Sequence, residues 1–249
     1  MRTKNIKITG LIRFRNESLI LKDTLKQMSK FCDEIFCFDD ASTDNSVKIA
    51  RSFPKVKKVI ENFQWNSSQE DTQALQRKLL FEYARNYSHN KWFIYQDADE
   101  RIEFNWSKLE EYNRKGYTAV RMRLFDAYLT KEDKKPYYDG ELSKLRKWFG
   151  PEYREIIFLF KNNKAKYSAD ISCQREPIVR GRIIDDGYVK HFGKAISIEH
   201  FNKTRNYYIK NFPIYRDKWE KRKAIHNKSD FNNQLILWQQ KKRGVPLKA

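Results

Sequence analysis

A chain of 249 residues is long enough for one sizeable α/β domain with a helical appendage, and its aromatic content can furnish the core. Lys and Arg outnumber Asp and Glu by 51 to 32, a net charge of +19 that suits nucleotide phosphates, acidic lipid or nucleic acid as partners, although an AT-rich genome yields the same Lys- and Asn-rich composition without such selection. Cys32, Cys37 and Cys173 lack the pairing of a disulfide framework and the spacing of a zinc site; with no apolar leader or membrane-length run, the expectation is a cytoplasmic protein, soluble or peripheral at a membrane.

Ile6 to Phe14 alternates and then runs apolar, which predicts a first strand, and Arg15-Asn16-Glu17-Ser18 supplies capping chemistry before a helical pattern over Leu19 to Phe31. Glu34 to Phe38 predicts a buried parallel strand that stops at Asp39-Asp40-Ala41-Ser42-Thr43-Asp44, ahead of a helix through Ser52. A third strand is expected at Val56 to Ile60. Ala74, Leu75, Leu79, Leu80, Tyr83 and Ala84 mark a helix from about Asp71 to Tyr87, which leads into the strand Trp92 to Gln96 and the carboxylates of Asp97-Ala98-Asp99-Glu100. This β-α-β-α-β-α-β order predicts a mostly parallel sheet with helices on both faces. Beyond Arg101 come shorter strands, Ala119 to Phe125 and Ile156 to Lys161 being the best candidates. From Ile198 onward the chain reads helical, with Phe201, Tyr207, Tyr208, Phe212, Tyr215 and Trp219 interleaved among Lys and Arg.

Ligands of open α/β sheets sit outside the carboxyl ends of the strands. Here those positions hold Arg15, Asn16 and Glu17, then Asp39 and Asp40, then Asp97, Ala98 and Asp99. An Asp after the second strand can accept the N–H of a pyrimidine base. The Asp-x-Asp pair offers hard oxygen ligands for Mn²⁺ or Mg²⁺ on a diphosphate. Taken singly, Asp-x-Asp also fits a solvated turn, and Asp39 and Asp40 also fit helix capping.

Leu11 to Glu17 resembles the opening strand and Asn-Glu turn of family 2 glycosyltransferases, and Phe38 to Asp44 resembles their Val-Asp-Asp-Gly-Ser-Thr-Asp segment. Lys91 to Arg101 is similar to the Asp-Trp-x-x-x-x-Asp-Ala-Asp-Glu-Arg stretch of the branch that includes lipopolysaccharide-core glycosyltransferases. Arg77 lies where that branch has a helix with an Arg near the diphosphate. Arg175-Glu176-Pro177 looks like its His-Glu segment, and Tyr188 to Phe192 like its following His-containing strand. The resemblance implies a GT-A fold over 1–197, with a nucleotide-binding half at 1–101 and an acceptor half at 102–197, followed by a basic aromatic helical extension at 198–249 packed on it.

The activity implied is inverting transfer from a nucleotide-diphosphate sugar, UDP-sugar favoured, to a hydroxyl of a glycan, lipid-linked or protein-linked acceptor. Glu176 would be the general base, with Glu155, Asp126, Asp139 and Asp170 as competitors. Asp97, Asp99 and His191 would hold Mn²⁺ or Mg²⁺, and Arg15, Asn16, Glu17, Asp39, Asp40, Arg77, Asp97 and Ala98 would contact the nucleotide. Three departures stand out: Arg175 for the usual His, Ala41 for Gly, and Arg13 to Arg15 for Pro-Thr-Tyr. Two other functions compete. A sugar-phosphate nucleotidyltransferase would want a Gly-rich first loop, and there is no Gly between Leu11 and Lys30. A basic nucleic-acid-binding protein would leave the ordered carboxylates unexplained, so no nucleic-acid partner is expected.

Overall fold

The computed structural model describes residues 6–65, 72–133, 137, 140–168 and 175–241. They form the strands β1 (Ile8–Phe14), β2 (Glu34–Asp40), β3 (Val56–Asn62), β4 (Trp92–Tyr95), β5 (Glu100–Glu103), β6 (Tyr117–Ala127), β7 (Trp148–Lys161), β8 (Ala165–Lys166), β9 (Ile178–Val179), β10 (Arg182–His191) and β11 (Ile236–Leu237). The helices are α1 (Leu21–Phe31), α2 (Ser46–Arg51), α3 (Thr72–Tyr87), α4 (Lys108–Arg114), α5 (Leu142–Leu145), α6 (Ile198–Asn211) and α7 (Arg216–Glu220). Two compact units result: residues 1–122 with 155–187, and residues 123–154 with 188–249. β6, β7 and β10 contribute residues to both.

The first unit contains the expected parallel βα layers. β2 pairs β1 and β3 in parallel, and β4 pairs the other side of β1 in parallel before β7 continues the sheet antiparallel to β4. Because side chains alternate across a strand, Leu11, Phe36, Phe38, Phe93 and Tyr95 fall on one face and pack with Leu80, Phe81 and Ala84 of α3. The opposite face meets α1, whose buried Leu21, Thr24, Leu25, Met28 and Phe31 recur at helical spacing. Close approach there requires Gly10: a Cβ at that position would lie 2.8 Å from Met28 Cε and 2.9 Å from Cys32 Sγ. Cys32 and Cys37 are buried; Cys173 lies outside the described residues.

The second unit gathers aromatic rings. Trp238 meets Phe125 and Phe149 edge-on at 5.7 and 5.0 Å, and Tyr208 stacks on Trp219 at 4.8 Å. The helical tail expected from Ile198 onward ends as α-helix at Glu220, with one further 3-10 turn at Trp238–Gln240. Beyond it the backbone finds its partners in extended segments: Ile225 bridges Leu129, the His226 amide donates to the Leu129 carbonyl at 2.8 Å, and β11 pairs β7 at Phe149 and Trp148. Those pairings and the buried Leu235 and Trp238 outweigh the helical composition of the segment. Among the described residues no helix is long and apolar enough to cross a membrane.

Candidate active site

Parallel pairing brings the carboxyl ends of β1, β2 and β4 to one edge of the sheet: Phe14 is opposite Asp39 and Leu11 is opposite Tyr95. The loops leaving that edge are fastened to each other. Asn16, with φ of +54°, accepts from the Thr43 amide at 2.7 Å through Oδ1, while its own amide and those of Glu17 and Ser18 donate to Ser42 Oγ, Ser46 Oγ and Asp44 Oδ2 at 2.9, 2.9 and 3.0 Å. Asn tolerates this left-handed backbone better than most residues. Ala41 has φ of +56°, so the position where the resembling family has Gly keeps the backbone that favours Gly. Arg15 stacks its guanidinium on Trp65, 3.8 Å from the ring centre.

The two carboxylates after β2 have different environments. Asp40 is saturated: Arg13 Nη2 and Gln76 Nε2 each donate to it at 2.7 Å, and Asn62 Nδ2 at 3.1 Å. Arg13 also donates to Gln76. Asp39 accepts from the Ser42 amide at 3.1 Å through Oδ2, but its buried Oδ1 has no hydrogen-bond partner among the described residues. Burial pushes its carboxyl above the ordinary range, against the hydrogen bonds from Ser42. Asp39 therefore presents an unmet acceptor, whereas Asp40 is a latch joining β1, β2 and α3.

Past β4 the carboxylates are linked. The Tyr95 hydroxyl donates to Asp97 Oδ1 at 3.0 Å, and Arg77 Nε on α3 donates to that hydroxyl at 3.1 Å. Arg175 Nη1 reaches Asp97 Oδ2 at 2.5 Å and its Nη2 reaches Glu100 Oε2 at 2.6 Å. That same Glu100 oxygen accepts from the Asp97 amide at 2.9 Å. The Ala98 carbonyl takes Thr24 Oγ1 at 2.5 Å and Arg101 Nη1 at 2.9 Å, and Arg101 is paired with Asp23 at 2.8 Å. The turn that carries the Asp-x-Asp pair is thus tied to α1.

The charge at this edge is negative beyond what these cations cancel. Burial pushes the Glu17 carboxyl well up, and the nearby Asp99, Asp97 and Asp44 push it further. Burial also raises Glu100, against the pull of Arg175. For Asp97, burial acts upward but Arg175 and Arg77 outweigh it and hold the carboxyl below its ordinary range. Burial, with Asp97 beside it, pushes the Tyr95 phenol up to about 12. Glu100 Oε1 is buried with no hydrogen-bond partner among the described residues. Hard oxygen donors, excess negative charge and an unmet buried acceptor fit Mg²⁺ or Mn²⁺.

Glu176 follows Arg175, and its Oε2 accepts from the Ile157 amide on β7 at 2.8 Å. Among its competitors, Asp139 and Asp170 lie outside the described residues. Asp126 belongs to the second unit with His191, where it accepts from Lys194 Nζ at 2.6 Å through Oδ2 and lies 2.6 Å from His191 Nδ1 through Oδ1. Glu152 Oε2 is 3.7 Å from that His191 nitrogen, so Asp126, Glu152 and His191 form a carboxylate–imidazole group within 4.8 Å. Burial acts upward on Asp126, but Lys194 and His191 hold it well below the usual carboxylate range.

Sequence reading did not assign roles to Arg175, Glu100, Tyr95 or Arg13. The signal available was charge balance: consecutive carboxylates at a buried strand end require cations, and Arg175 was already conspicuous as a departure from His.

The sequence model of Glycosyl transferase family 2 matches residues 11–172. No curated protein matches the chain. Among solved structures, S. aureus TarS matches at 14% identity and a TM-score of 0.43 over 86% of this chain, which spans 42% of TarS. A 4-diphosphocytidyl-2C-methyl-D-erythritol synthase matches at 13% identity and 0.44, over 72% of this chain and 90% of its own. The glucosyl-3-phosphoglycerate synthase of Mycobacterium tuberculosis, in complex with Mn²⁺, uridine diphosphate and glucosyl-3-phosphoglycerate, matches at 15% identity and 0.31, over 49% of this chain and 44% of its own.

Proposed function

The chain belongs to glycosyl transferase family 2, and on that premise we propose that it is an inverting, metal-dependent transferase acting on a nucleotide-diphosphate sugar, with UDP-sugar favoured. The acceptor would be a hydroxyl on a glycan, lipid-linked or protein-linked molecule. The observation that carries this reading is the convergence at one sheet edge of the unmet Asp39 acceptor with an over-negative carboxylate cluster beside Arg77.

Asp39 Oδ1 has the chemistry to accept the imide N–H of a uracil, and the Ser42 amide holds the other oxygen of the same carboxylate. Asp97 and Asp99 would hold Mn²⁺ or Mg²⁺, which when bound supplies positive charge to the leaving diphosphate. Arg77 is buried, yet Tyr95 and Asp97 keep its guanidinium charged, so it adds a fixed cation on the α3 side. Glu176 fits the base because the Ile157 amide fixes one of its oxygens and the other can take the acceptor's proton as the new bond forms. Inversion needs no protein nucleophile. The basic aromatic segment 198–241 suits peripheral contact with an anionic membrane surface, Ile214 within it being 71% exposed.

The test is a thermal-shift and calorimetric screen of UDP-, GDP-, CMP- and dTDP-sugars with and without Mn²⁺. A Mn²⁺-dependent shift with UDP-sugars alone is expected, and no shift with any nucleotide refutes the reading. Once a donor and acceptor are in hand, Glu176→Gln should keep donor binding and lose about 100-fold or more in turnover. Unchanged turnover would put the base elsewhere.

A further inference from the structure

Arg175 bridges two carboxylates that come from different points of the turn after β4. One of them, Glu100, has a fully buried side chain, while those of Arg175 and Asp97 are 15% and 25% exposed. The guanidinium sits 5.0 Å from the Phe158 ring and 5.9 Å from the Tyr95 ring, and its Nε has no hydrogen-bond partner among the described residues. Among the described residues its polar anchors are those two carboxylates. A forked cation held by carboxylates and aromatic faces satisfies the same charge requirement as a metal ion, and it uses the same oxygen lone pairs.

We propose that Arg175 is an internal counter-cation that competes with a divalent metal for Asp97 and Glu100, a positioning residue displaced from these carboxylates when the metal enters. Asp97 Oδ2 cannot serve both a guanidinium at 2.5 Å and a divalent ion without bringing like charges into contact. The alternation leaves the carboxylate pair partly neutralised in the metal-free protein and makes metal affinity weaker than the cluster of Glu17, Asp97, Asp99 and Glu100 would otherwise give. The unmet Glu100 Oε1 agrees, since one guanidinium does not satisfy the pair. The inference rests on the reading of this edge as the metal and donor site.

The experiment is calorimetric titration of Mn²⁺ and Mg²⁺ into the wild-type protein and Arg175→Gln without nucleotide, with UDP titrated separately. Arg175→Gln should bind Mn²⁺ about tenfold more tightly, or about 1.4 kcal/mol. Arg175→Lys, which keeps a cation without the fork, should fall between and supplies the comparison if the Gln variant does not fold. Equal or weaker Mn²⁺ binding in the variants, or no Mn²⁺ binding by any of the proteins, overturns the inference. A residue that merely holds the turn in shape would lower metal affinity when removed. UDP binding decides the donor reading on its own: with UDP bound and no tightening of Mn²⁺, only the Arg175 inference falls.

Discussion

Asp40→Ala separates a structural latch from a nucleotide contact. The substitution removes the acceptor of Arg13 and Gln76 at 2.7 Å and of Asn62 at 3.1 Å, at a pair whose side chains are only 15% and 4% exposed. Breaking a buried ion pair from one side costs about 3–5 kcal/mol, because the partner is left desolvated. Arg13 keeps its bond to Gln76 and some access to water, which puts the expected cost at the low end, about 3 kcal/mol. In a chain of this size each kcal/mol lowers the melting temperature by about 2–4 °C, so a fall of roughly 6–12 °C is expected. Differential scanning calorimetry reads that fall, and UDP titration well below the transition should give nearly wild-type affinity. A variant that melts within a degree of wild type yet no longer binds UDP would refute the latch and return Asp40 to the nucleotide.

Asp39→Ala should behave in the opposite way: UDP affinity falls about tenfold or more, one hydrogen bond to a charged acceptor being worth about 1.5–3 kcal/mol, while the melting temperature changes less than in Asp40→Ala. Unchanged UDP affinity by calorimetry would exclude Asp39 as the base contact. Glu17→Gln should stabilise the metal-free protein at pH 8 in EDTA. The folded Glu17 carboxyl is raised above the ordinary 4.5, so its stability contribution is fully present below that value and is lost as pH rises through the folded pKa. The gain over wild type should therefore shrink towards pH 4, and a melting-temperature difference independent of pH would contradict the burial and carboxylate repulsion that raise Glu17.

The alternating strands and helices up to Tyr95 were legible because their signals are local: apolar runs such as Phe36 to Phe38 and the helical spacing of Leu21, Leu25 and Met28 occupy neighbouring positions in sequence. The strand-end carboxylates were legible for the same reason, each following its own apolar run. The tail beyond Glu220 reads as helix in the sequence but is extended in the fold, because its backbone partners, Leu129, Trp148 and Phe149, lie far away in sequence. Asp39 and Asp40, adjacent and chemically identical, could not be distinguished before Arg13, Gln76 and Asn62 were seen to converge on one of them.

Up to Tyr95, sequence alone determined the kinds of element, their order and the parallel arrangement that sends Arg15, Asp39 and Asp97 to one edge, because hydrophobic periodicity and chain chirality act over short stretches. Only the tertiary structure decided which charges meet. Arg175 reaches Asp97 across 78 residues of chain and Asp126 meets His191 across 65. Such pairings depend on register, burial and the desolvation of both partners, quantities that exist only once the sheet has formed.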